Sequence, residues 1–247
     1  MDGSLSRRAL CSRAGALGLA AVAGCAGLGA ETVRGEGDVS PRGDGTPLTA
    51  EGFRDYARDR REAYGDDGVW GVAGRPPPSL DPLGFVGAWH AEAVLADGGS
   101  PPAASDLAAA LYRHPRAMGA DSRYRLWSWV AARPEDDARL SGLSLTFDLP
   151  GDQRVLRGAP RGTRTDSPVA VALESNPPVE FPLHAGEVRR VDPAEAEFRV
   201  VWAGERDGVQ SLHGVCEFRA PRHLEQFDFS LTGAVEATAG GGGLPQV

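Results

Sequence analysis

From Ser122 onward the chain is written in short apolar runs. RYRLWSWVAA, LSGLSLTFDL, PVAVALES, EFRVVWAG, VQSLHGVCEFRA and HLEQFDFSLTGAVEA are rich in Val, Leu, Phe and Trp, and clusters of Gly, Pro and Asp separate them. Such runs predict strands, and strands at this spacing fold into a sandwich or barrel. GERDG, Gly204 to Gly208, predicts a hairpin turn between two of them.

The upstream part predicts helix. Thr49 suits an N-cap, with Glu51 in the first turn, and Phe53, Tyr56, Ala57 and Tyr64 fall on one helical face before a stop at Gly65. A second, shorter helix is expected over Asp106–Arg113, capped by Ser105 and ended before Pro115. Val69–Ala73 and Phe85–Ala96 read as strands on either side of the Pro76-Pro77-Pro78 break. The expected class is therefore α+β, mainly β, with an N-terminal helix packed on a β-sandwich-like C-terminal part.

The first residues carry a different message. Arg7, Arg8 and Arg13 precede an uncharged run from Ala14 to Gly24. Eleven residues make about 16 Å of helix, too short for a hydrocarbon core of about 30 Å and the right length for a signal-peptide apolar region. Ser6-Arg7-Arg8-Ala9-Leu10 resembles the twin-arginine export signal. Val22-Ala23-Gly24-Cys25 resembles a lipobox, in which cleavage precedes the cysteine and its sulfur takes a lipid. Cys11 and Ser12 depart from the usual continuation of the twin-arginine pattern. The expected division is 1–24 signal peptide, 25–48 lipidated Cys25 and flexible linker, 49–238 one globular domain, and 239–247 a disordered tail. The membrane, reached through a lipid on Cys25, is the first expected partner, and the extracytoplasmic face the expected location.

Composition removes several function classes. The formal net charge is −8, which repels nucleic acid and anionic lipid surfaces, so no nucleic-acid partner is expected. The chain contains no Lys, so all 26 of its basic residues are arginine. A Schiff-base lysine, a Walker-A Gly-Lys-Ser/Thr and a Ser-x-x-Lys pair are thereby excluded. The acidic surplus, the missing Lys and Ile and the export signal together resemble a surface lipoprotein of halophilic-archaeal type. In that setting the twin-arginine route implies nothing about a cofactor, and none is expected.

Three groups of residues invite a chemical reading. His213, Cys216 and His223 could ligate copper or zinc, but residues three apart on a strand point to opposite faces. A buried structural cysteine with two ordinary histidines is the simpler expectation. His90 and Glu92 share a strand face and could form an acid–base or metal pair, against a plain polar face with Trp89 turned inward. Arg123, Arg125, Trp127 and Trp129 alternate onto one face. Exposed, they would grip an anionic or sugar ligand by stacking; buried, the tryptophans are core and the arginines reach solvent. This face is the best binding site the sequence offers.

The functional expectation is a non-catalytic surface module that binds a protein or small-molecule ligand. The alternatives are an extracytoplasmic hydrolase or metal enzyme built on the histidine groups, and a transporter's solute-binding lipoprotein, for which a single domain is small. Cys216, the one thiol left after signal removal and lipidation, sits in an apolar run between Val215 and Phe218. Burial raises a thiol's pKa and makes it inert. Thiol reagents should label Cys216 only after denaturation; rapid labelling of the native protein would bring the metal or nucleophile reading forward.

Overall fold

Antiparallel pairing joins the apolar runs into two sheets. A computed structural model describes residues 32–42, 46–65, 82–92, 94–95, 103–118, 121–151, 153–160, 164–165, 169–171, 179–181, 186–191, 196–222 and 228–238. The strands are β1 (Thr32–Val39), β2 (Gly84–Glu92), β3 (Val94–Leu95), β4 (Ala103–Met118), β5 (Asp121–Pro134), β6 (Arg139–Asp148) and β7 (Arg154–Ala159). They continue with β8 (Arg164–Thr165), β9 (Val169–Val171), β10 (Val179–Phe181), β11 (Gly186–Val191), β12 (Glu197–Arg206), β13 (Gln210–Pro221) and β14 (Ser230–Thr238), and the helix is α1 (Ala50–Tyr64). One sheet runs β3-β1-β14-β6-β12-β11-β8 and the other β2-β4-β5-β13-β7, with β9 and β10 as a separate pair.

The inner faces interdigitate. Phe147 of β6 lies 5.3 Å from Phe218 of β13 and 5.7 Å from Phe229, and Trp89 of β2 meets Phe229 edge-on at 5.6 Å. Two glycines set how closely the sheets approach. A Cβ on Gly233 would lie 2.7 Å from Leu107 Cδ1, and one on Gly158 2.3 Å from Phe198 Cε2. Neither place has room for a side chain, so the partner residue fills the space.

The outer face of the five-stranded sheet is also covered. Thr49 accepts from the Gly52 N–H at 3.2 Å and starts α1, which ends at Gly65 with φ 70°. Phe53, Ala57 and Tyr64 are its buried residues, as the helical spacing predicts. Tyr56 and Tyr64 both meet Trp129 edge-on, at 6.4 and 6.2 Å. The Tyr64 hydroxyl donates to Asp106 Oδ2 at 2.7 Å, and Arg60 Nη1 donates to the same oxygen at 2.8 Å. Arg133 Nη1 donates to the Ala63 carbonyl at 3.0 Å, tying the helix end to β5. An N-terminal helix thus packs on a β-sandwich, the class read from the sequence.

Four local expectations change. Asp106–Arg113 lies within β4, not a helix. Its alanines favour helix locally, but Ala108, Ala109 and Ala110 are fully buried in a strand paired on both sides. There small residues leave room for α1 and the opposite sheet, and tertiary packing outweighs propensity. GERDG is no hairpin: β12 pairs with β11 and β6, whereas β13 pairs with β5 and β7. The turn carries the chain from one sheet to the other. Thr32–Val39, expected within the flexible linker, is β1 and pairs along its whole length with β14. Its alternating burial supplies the core contacts that composition hid. Phe85–Ala96 divides, with β2 in one sheet and β3 in the other. The segments expected to be a signal peptide and a C-terminal tail, and Val69–Ala73, lie outside the described residues.

Trp129 is 1% exposed and seats α1. Trp129→Ala should destabilise the fold by about 3–5 kcal/mol, read as a lowered melting temperature. A melting curve like that of wild type would remove Trp129 from the core.

Candidate functional site

The outer face of the five-stranded sheet divides in two. Alternation along β5 sends Arg123, Arg125, Trp127 and Trp129 to this face, as expected, but α1 covers only the Trp129 end. Trp127 is 9% exposed and meets the ring of His213 edge-on at 6.4 Å. Neither tryptophan is an exposed stacking platform; both are packed. The arginines at the other end do not simply reach solvent. They converge on a carboxylate.

That carboxylate is Glu217, fully buried on β13. Ladder pairing sets it directly beside Arg125 of β5 and Arg157 of β7. Arg125 donates from Nε to Oε1 at 3.0 Å and also from Nη2. Arg123 donates to Oε2 from Nε at 2.8 Å and from Nη2, and Arg157 Nε reaches Oε2 at 2.7 Å. The β4–β5 ladder slips between Arg113 and Ala117, and from that slip His114 crosses β5 to place Nε2 3.2 Å from Oε1. Glu217 and Arg125 are enclosed, while the side chains of Arg123, Arg157 and His114 are 30%, 20% and 17% exposed.

The charge states follow from this packing. Burial alone would raise the Glu217 pKa, but hydrogen bonds from Arg157, Arg125 and Arg123 outweigh it and lower the value from 4.5 to about 2. Burial pushes His114 below its ordinary 6.5, with Arg123 and Arg125 adding to the shift against the pull of Glu217. At neutral pH the imidazole is uncharged. Glu217 can only accept, so His114 Nε2 carries the proton.

The other candidates are dispersed. His213 and Cys216 lie on opposite faces of β13: Cys216 pairs with Leu126 on the inner side and His213 with Trp129 on the outer. Burial lowers His213 to about 3 and raises the Cys216 thiol well above its usual value. His223 is outside the described residues, and among those residues no three potential ligands cluster. His90 and Glu92 share a face, but the His90 ring stacks on Tyr56 at 4.6 Å. Glu217, Arg157 and His114 escaped the sequence reading. The one available signal was a lone acid within the apolar run VQSLHGVCEFRA.

No family model matches the chain, and no curated protein matches it. Among solved structures it is similar to Clostridium perfringens delta-toxin, with 6% identity, 55% of this chain and 73% of that one covered, and a TM-score of 0.38. It is similar also to a structure described as a pore forming protein, with 5% identity, 57% and 79% covered, and a TM-score of 0.35. Likenesses of this size assign no family and no activity.

The depressed Glu217 pKa has a definite sign. A carboxylate with a lowered folded-state pKa contributes stability above its unfolded value and loses it as pH falls through the folded value. Stability should therefore fall as pH drops from 4.5 toward about 2, by about 3 kcal/mol for this group. Glu217→Gln should flatten that window and cost about 3–5 kcal/mol at pH 7, because it leaves buried arginines without their counter-charge. Chemical denaturation of both proteins across this pH range checks it; parallel curves would show that Glu217 is not the titrating group.

Proposed function

We propose that the chain is an exported lipoprotein, anchored through Cys25 on the extracytoplasmic face of the membrane, and that it acts as a non-catalytic binding module. The anchor reading rests on Arg7-Arg8, the apolar run and Val22-Ala23-Gly24-Cys25. Six residues separate Cys25 from Thr32, where β1 begins. Fully extended, that link spans at most about 25 Å, so a lipidated Cys25 would hold the domain close to the bilayer.

The observation that favours binding over catalysis is the charge state of the Glu217 cluster. General acid–base work needs a group that exchanges its proton near the operating pH. Glu217 titrates at about 2, His114 is held neutral, and the arginines remain cationic. A site with fixed charges recognises a charge pattern.

Cys25→Ser tests the anchor. The wild-type chain should fractionate with membranes and begin at a lipid-modified Cys25, while the variant should be released or stay uncleaved. An intact Met1 on the membrane-bound form would overturn the lipobox reading.

A further inference from the structure

We draw no further inference here: the strongest candidate, the side-chain cluster beside the C-terminal half of α1 in which the exposed Glu92 of β2 stands next to Asp106 of β4, carries nothing, because Asp106 is engaged by Tyr64 and Arg60 in the helix seat already described and nothing in the structure shows what the carboxylate beside it would hold.

Discussion

The five-stranded sheet has to be covered on both faces. Its central strand β5 is buried without interruption from Tyr124 to Ala132, so alternation cannot leave one side to water. One face meets the larger sheet through Leu107, Leu126, Cys216 and Phe218. On the other, among the described residues, lie an apolar lid, α1, and an ionic one, the Glu217 cluster. The helix places aromatic rings over Trp129 and anchors them through Asp106. The cluster closes the end the helix does not reach. Removing either lid would expose a strand whose side chains are chosen for burial.

The two lids differ in what holds them. Helix seating is hydrophobic area plus a few directed hydrogen bonds, tolerant of small changes. The ionic lid depends on geometry. Enclosing a carboxylate and a guanidinium costs desolvation that only close, multiple hydrogen bonds offset, and losing one partner strands the rest. Strand register supplies that geometry: Arg125, Glu217 and Arg157 sit side by side on three neighbouring strands, and a ladder slip brings in His114. Position comes from backbone pairing, so little is left to side-chain freedom.

This division explains what the sequence could and could not reveal. Local signals carried α1 completely, because Thr49, Gly65 and the Phe53–Tyr64 spacing act within a few residues. They carried the strand-rich class as well. They misled at Asp106–Arg113, where alanine runs suit a helix alone but suit a strand squeezed between two layers better. They were silent on which sheet each strand joins, so the crossing at GERDG and the pairing of β1 with β14, about 200 residues away, stayed hidden. Arg123 and Arg125 were visible as a pattern; their counter-ion, roughly 90 residues on, was not, since only pairing of β5 with β13 brings them together.

The absence of lysine acquires a physical use in this setting. Codon composition is a sufficient origin for it, yet the ionic lid exploits what arginine has and lysine lacks. An ammonium held as deeply as Arg125, whose side chain is 3% exposed, would shed its proton under desolvation and donate from a single point. A guanidinium keeps its charge and presents two parallel donors to one oxygen, so the cluster stays cationic while nearly dry. Strand pairing fixes where those donors stand, so the buried carboxylate is held by geometry and not by an exposed pair that salt would screen.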